Sequence, residues 1–153
     1  MYQKIVVPVD GSELAECVIP HVETIARAAQ AVVELVEVIE PLKIPTRGGI
    51  ALSEADLKQI ELQTYNEVQN YLAKITETLR SKGIEVHSKA IKGKAAESIV
   101  DYARSINADL IIMATHGRSG ISRWVWGSVA DRILHASHTP VLLIRAPGSA
   151  PAI

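Results

Sequence analysis

Short apolar runs alternate along this chain with longer stretches of mixed polarity. Ile5–Val9 is too short for a helix and is rich in β-branched residues, which is typical of a buried strand. The same pattern predicts strands at Ala31–Ile39, Asp109–Thr115 and Pro140–Arg145, and alternation of apolar with polar residues predicts another at Ile84–Ile91. Strands that are apolar over most of their length are typical of a parallel sheet covered on both faces.

Helical periodicity fills the intervals between these strands. Apolar residues recur at spacings of three and four from Leu57 to Leu79, which predicts a long amphipathic helix. We also predict helices over Ser12–Gln30, with Pro20 bending it, over Ala96–Ile106, and from Ser128 onward. Strands that alternate with helices predict an α/β fold in which helices cover both faces of an open parallel sheet.

Length and composition bound the class of protein. A chain of 153 residues fits one domain, here residues 1–147, followed by a tail over 148–153 that we expect to be flexible. The net charge of −1 and the aromatic content of 4% argue against a nucleic-acid-binding surface. The single cysteine and the absence of a leader or a long apolar run predict a cytoplasmic protein without a membrane segment.

Two places carry candidate chemistry, because parallel sheets bind ligands beyond the carboxyl ends of their strands. Asp10 follows the first strand, and a glycine-rich loop follows the fourth. Gly117 and Gly120 allow backbone amides to turn inward, and Gly127 allows close approach to a ligand where the last helix begins. The free N–H groups and the dipole at that helix start suit an anion such as a triphosphate.

Each of these positions also has a structural interpretation. Ser128 and Asp131 have the spacing of a capping box, so Ser128 is either a helix cap, a phosphate ligand, or both. Asp10 either forms a turn or binds a ligand. The histidines lack metal-ligand spacing and no base is paired with a nucleophile, so we predict neither metal-binding nor catalytic residues. His116 is expected to shape the loop rather than to catalyse.

Several motifs, read together, resemble the universal stress protein family over Lys4–Arg145. They are Val6–Ser12, Met113–Gly120, Gly127–Ala130 and Pro140–Ile144. The ATP-binding branch of that family has glycines at set spacings followed by Ser or Thr. Gly117, Gly127 and Ser128 fit this pattern, whereas Ala114 replaces its first glycine.

This resemblance implies strand order 3-2-1-4-5, which brings Asp10 and the glycine-rich loop to one crevice. It also implies ATP, with Mg²⁺, as the bound cofactor. Val9 and Val38 would line the adenine site, Asp10 would lie near the ribose or the metal, and amides near Gly127 would hold the phosphates. The full implied set is Pro8, Val9, Asp10, Val38, Met113, Ala114, His116, Gly117, Arg118, Gly120, Gly127, Ser128 and Val129.

The implied strand order leaves the last strand at a sheet edge. Its apolar run, Val141, Leu142, Leu143 and Ile144, carries no charge, so we expect a homodimer through antiparallel pairing of these edges. The expected function is an ATP-binding regulator of the stress response that acts on an unidentified protein partner. The alternatives are a slow ATPase or phosphoryl-transfer enzyme, and a dimeric scaffold that binds no nucleotide.

Overall fold

The computed structural model describes residues 2–42, 52–116 and 127–145, and strands alternate with helices along them as predicted. The strands are β1 (Lys4–Val9), β2 (Val32–Ile39), β3 (Val86–Lys92), β4 (Leu110–Ala114) and β5 (Val141–Ile144). The helices are α1 (Glu13–Glu16), α2 (Ile19–Ala29), α3 (Glu54–Ser81), α4 (Ala95–Ser105) and α5 (Ser128–Ala136). The tail over 148–153 lies outside the described residues, so its flexibility stays a prediction.

The strands form one parallel sheet in the order β3-β2-β1-β4-β5, which confirms the expected order. Ile5 of β1 lies beside Val33 of β2 on one side and Leu110 of β4 on the other. From β1 the chain adds β2 and β3 on one side of the sheet and then returns to add β4 and β5 on the other, so the order of connection reverses between β1 and β4. The carboxyl ends of these two strands therefore open the crevice in which sheets of this type bind ligands.

The core has two layers, one on each face of the sheet. Ile5 and Val7 of β1 pack with residues of α2 and α3, whereas Val6 packs on the opposite face with residues of α4 and α5. Successive side chains of a strand point to opposite faces, so a strand covered on both faces is apolar throughout. Each fully buried aliphatic side chain of this kind contributes about 1.5–3 kcal/mol to folding.

The predicted single helix over Ser12–Gln30 is wrong, because the structure has two helices there. Ser12 caps α1 by accepting a hydrogen bond from the Ala15 N–H, and Pro20 lies in the first turn of α2 rather than in a helix interior. Proline is well tolerated in a first turn, where its missing N–H would have no intrahelical partner. Pro20 therefore starts a helix instead of bending one.

All five strand starts differ from the predictions by one or two residues, and the differences at β2 and β3 share a cause. The Ala31 N–H donates to the Ala26 carbonyl at 2.9 Å, which closes the end of α2, so β2 begins one residue later than predicted. The Ile84 N–H likewise donates to the Leu79 carbonyl at 3.2 Å, so β3 begins at Val86. Apolar residues that close a helix end cannot be told from strand residues by polarity alone.

Helix α3 is longer than the sheet is tall. Its 28 residues span about 42 Å, whereas the longest strand spans about 26 Å. Its buried residues begin at Val68, while Leu57, Ile60 and Thr64 are only half-buried. The first half of α3 therefore projects past the carboxyl edge of the sheet, where it walls one side of the crevice. No helix in the described ranges combines the length and apolarity needed to cross a bilayer.

Candidate functional site

A cavity of about 870 Å³ opens at the carboxyl edge of the sheet, a volume within the usual range for small-molecule sites. It lies among the ends of β1, β2 and β4 and the first turns of α4 and α5, with α3 along one side. The structure brings together around it every predicted site residue that lies in the described ranges. These are Pro8, Val9, Asp10, Val38, Met113, Ala114, His116, Gly127, Ser128 and Val129. The predicted residues Gly117, Arg118 and Gly120 lie outside the described residues.

Aliphatic side chains form the floor of the cavity. Val9 and Ala114 belong to the core layer beneath α2 and α3, whereas Met113 and Val38 belong to the layer beneath α4 and α5. The floor therefore crosses from one face of the sheet to the other at the strand ends. An apolar surface of this kind suits the flat face of an uncharged ring, because it removes that face from water.

Helix α5 starts at the cavity, and its N-cap is Gly127, not Ser128. The Asp131 N–H donates to the Gly127 carbonyl at 3.0 Å, and Ser128 is the first residue within the helix. The predicted capping box of Ser128 and Asp131 is therefore wrong, because the N-cap is Gly127, which has no side chain to cap the helix. The amides of Ser128 and Val129 precede the first intrahelical bond and lie at the cavity wall. These amides and the positive end of the helix dipole together favour the binding of an anion.

Glycine is required at position 127 for a reason that sequence reasoning missed. A Cβ there would lie 2.8 Å from the carbonyl oxygen of Thr115, too close for any real contact. The Gly127 N–H donates to that same oxygen at 2.9 Å. Its φ of −53° suits any residue, so the constraint is space and not backbone conformation. Gly127 thus holds the start of α5 directly against the end of β4.

Asp10 shapes the turn that leaves β1. Its Oδ1 accepts hydrogen bonds from the Ser12 N–H at 3.0 Å and from the Ser12 hydroxyl. The turn-forming interpretation is therefore confirmed. Asp10 is also half-buried in the cavity wall, which is compatible with the second role that the sequence left open.

Three glutamates around the cavity were not predicted: Glu37, Glu40 and Glu67. Glu37 is 95% buried at the end of β2, and Glu40 follows that strand. Parallel sheets bind ligands beyond the carboxyl ends of their strands, and this applies to β2 as it does to β1, so Glu37 and Glu40 were open to prediction. Burial, and next the Glu16 carboxylate, raise the pKa of the nearby Tyr71 phenol, which keeps it protonated. The described lining contains no Lys or Arg, and its titratable side chains are four carboxyls, the Tyr71 phenol and His116.

The described residues form no metal centre, and they place a histidine beside a hydroxyl at the cavity wall. No group of three or more His, Cys, Asp or Glu in the described ranges is placed to hold a metal ion. His116 is half-buried in the cavity wall, with its Nδ1 3.0 Å from the Thr115 hydroxyl. What the arrangement offers is an apolar floor, a helix start with free amides, and carboxylates opposite that helix start.

Comparison with known proteins gives a family match over nearly the whole chain. The model described as the universal stress protein family matches residues 1–145. Universal stress protein MJ0531 of Methanocaldococcus jannaschii is 33% identical over 150 residues, which cover 96% of this chain and 84% of that relative.

Two solved structures extend the similarity to the fold. The structure of MJ0577, reported as a structure-based assignment of biochemical function, has a TM-score of 0.82 at 27% identity and covers 97% of this chain and 99% of its own. The universal stress protein of Archaeoglobus fulgidus in complex with dAMP has a TM-score of 0.64 at 25% identity, covering 94% of this chain and 98% of its own.

Proposed function

Because the chain belongs to the universal stress protein family, we propose that it binds an adenine nucleotide, ATP above all, in the cavity at the carboxyl edge of the sheet. The observation that carries the proposal is the start of α5, where the N-cap Gly127 supplies no side-chain cap and Ser128 and Val129 line a cavity with an aliphatic floor. The relative from Archaeoglobus fulgidus, solved with dAMP, supports an adenine nucleotide as the class of ligand.

In the proposed complex the two parts of the nucleotide lie on different surfaces. The amides of Ser128 and Val129 bind phosphate oxygens, and the base lies on the aliphatic residues of the floor, among them Val9 and Val38. Asp10 contributes a carboxylate for the ribose hydroxyls or for Mg²⁺. The metal, when bound with the triphosphate, would neutralise part of its charge. Gly117, Arg118 and Gly120 complete the proposed set.

The proposed role of ATP is that of a regulatory ligand in a stress response, one that shifts the conformation or the partner choice of the protein. The described residues offer an anion site and a ring-binding floor, and none of them forms a metal-binding cluster. Binding without rapid chemistry is what such a site does best, since hydrolysis needs a group that positions the attacking water. The slow ATPase is the competing function.

Titration calorimetry of the purified protein with ATP, ADP, AMP and adenosine tests the proposal directly. We expect binding that strengthens as phosphates are added and turnover well below about 1 per second, a rate that would be ordinary for an enzyme. Mass spectrometry of nucleotide released from the purified protein identifies the natural ligand. Absence of binding would contradict the proposal, and fast hydrolysis would favour the ATPase.

We further propose that the protein acts as a homodimer through β5. The two edge strands of the sheet are β3 and β5. Strand β3 carries Lys89 and Lys92, whereas Val141–Ile144 of β5 carries no charge. Lysine on an edge discourages pairing with another sheet, and its absence permits pairing. The four residues of β5 are half-buried within one chain, which leaves apolar surface for a second copy to cover.

Light scattering at micromolar concentration tests the dimer. We expect a dimer for the native chain and a monomer for Leu143→Lys, which places a charge on the proposed interface. Lys89→Ala on the opposite edge is the matched control and should remain dimeric. A monomeric native chain would overturn the proposal.

A further inference from the structure

Two helices begin at the cavity, and both lack a cap from their own N-cap residue. Ala95 starts α4 and Ser128 starts α5, and both residues line the cavity. Neither Lys94 nor Gly127, the respective N-cap residues, makes a side-chain capping bond. An uncapped helix start attracts an anion. By backbone alone, the cavity would therefore offer the phosphates of a nucleotide two competing positions.

One of the two positions is occupied by a carboxylate from elsewhere in the chain. Oε1 of Glu40 accepts a hydrogen bond from the Ala95 N–H at 3.1 Å. The Gly93 N–H donates to the Ile39 carbonyl at 3.1 Å, which holds the turn before α4 against the end of β2. A negative charge at this point is favourable to the dipole of α4 and unfavourable to any second anion there.

The start of α5 lacks such a carboxylate among the described residues. No side chain in those ranges accepts a hydrogen bond from the amides of Ser128 or Val129. The acidic residue in its first turn, Asp131, lies one turn into the helix beside His135, with 3.7 Å between Oδ1 and Nδ1. The two helix starts thus have the same backbone groups but opposite electrostatic character.

We propose that Glu40 is a specificity-determining residue that fixes the direction in which the nucleotide lies. By covering the start of α4, it directs the phosphates to α5 and limits the ligand to nucleotides with a single anionic end. This inference rests on the proposed nucleotide function. The total charge of the cavity does not explain this role, because Glu67 lines the same cavity and accepts a hydrogen bond within α3 instead.

Glu67 provides the matched control. It lines the same cavity, and its Oε1 accepts a hydrogen bond from Gln63 Nε2 at 3.1 Å within α3. Glu67→Ala and Glu40→Ala remove the same charge from the cavity, but only the second uncovers a helix start. A difference between these variants therefore reports the position of the carboxylate and not the total charge.

The experiment follows backbone amide resonances of the ¹⁵N-labelled full chain during titration with tripolyphosphate, an anion that has no base. In the native protein and in Glu67→Ala, the amides of Ser128 and Val129 should shift while that of Ala95 does not. In Glu40→Ala, the amides of Ala95 and Ala96 should shift as well. Glu40→Gln keeps an acceptor for Ala95 but loses the charge, so its Ala95 shift should be smaller than in Glu40→Ala.

Two results would overturn the role of Glu40: an Ala95 amide that does not shift in Glu40→Ala, or one that shifts equally in the native protein. If Ser128 and Val129 shift in none of the proteins, the proposed phosphate site itself fails, which is a separate result. Should Glu40→Ala not fold, Glu40→Gln still tests the proposal. The ratio of its affinity for adenosine 3′,5′-bisphosphate to its affinity for AMP should rise about tenfold above the native ratio, since the repulsion of a second phosphate is removed. An unchanged preference would overturn the inference.

Discussion

The starts of α4 and α5 lie at the same cavity and differ mainly in what surrounds them. At α4, Glu40 reaches across from the end of β2 and accepts the Ala95 N–H at 3.1 Å. At α5, Gly127 packs on the Thr115 carbonyl, and the amides of Ser128 and Val129 face the cavity. Helix starts have the same free backbone groups, so in our proposal a distant carboxylate selects which of them binds an anion. The following predictions test that difference.

The largest effect is expected from a carboxylate placed at α5. Ser128→Glu should weaken ATP binding about 100-fold, because two unit charges about 4 Å apart repel by about 4 kcal/mol near a protein surface, and salt screens part of this. Ser128→Ala, the control, should lose less than about tenfold, since the amides remain. Titration calorimetry at two salt concentrations measures both. Native affinity in Ser128→Glu would show that phosphates do not bind at α5.

A methyl group at Gly127 should weaken binding about tenfold and lower stability by about 1–3 kcal/mol. The added Cβ would lie 2.8 Å from the Thr115 oxygen, so the start of α5 must move away from β4. Gly83→Ala is the control, because Gly83 has φ +80° and open space around it and is not among the cavity residues. It should cost about 1 kcal/mol in stability without loss of affinity. Denaturant unfolding and calorimetry separate the two effects, and unchanged binding in Gly127→Ala would contradict the prediction.

Loss of the Glu40 carboxylate should lower the free energy of unfolding by about 0.5–1 kcal/mol, near the low end for a helix cap because the side chain is exposed. Glu67→Ala, which leaves every helix start unchanged, should stay within about 0.5 kcal/mol of the native value. Urea unfolding of the two variants and the native chain measures the difference. Equal stability of both variants would mean that Glu40 does not stabilise α4.

The smallest effect concerns α3, whose cap comes from its own sequence. The hydroxyl and the N–H of Ser53 donate to Asp56 and hold the pKa of that carboxyl below its usual value. Because the folded-state pKa is lowered, the ionised Asp56 stabilises α3 at pH values above the ordinary pKa of Asp. This contribution is lost as the pH falls through the folded-state pKa. An NMR titration of the Asp56 carboxyl should show the low midpoint, and Ser53→Ala should return it toward normal. A normal midpoint in the native chain would be inconsistent with the box.

Much of the fold was open to prediction because the central strands β1 and β4 are buried on both faces. A run such as Ile5–Val9 is apolar throughout, and polarity alone identifies it. The division between α1 and α2 was not predicted, because Pro20 is compatible both with a bent helix and with a first turn. The predicted starts of β2 and β3 were too early for a similar reason, since Ala31 and Ile84 are apolar residues that close helix ends.

The site was predicted in part. Motifs at the ends of β1 and β4 identified residues that the structure places around one cavity, among them Val9, Asp10 and Met113. Glu37 and Glu40 were not predicted, because the residues at the end of β2 include no glycine-rich motif that marks a ligand site. The predicted capping box of Ser128 was wrong because the spacing of Ser128 and Asp131 does not by itself fix which residue is the N-cap. The N-cap is Gly127, one residue earlier in the chain.

The sequence by itself determined the alternation of strands and helices, since apolar periodicity is a local property of the chain. It also determined which loops hold glycine and acidic residues. Tertiary structure decided which helix start is covered, because Glu40 and Ala95 are 55 residues apart and meet only when β2 and β3 pair. It likewise decided why position 127 is glycine, since the Thr115 oxygen that leaves no room for a side chain is brought there by folding.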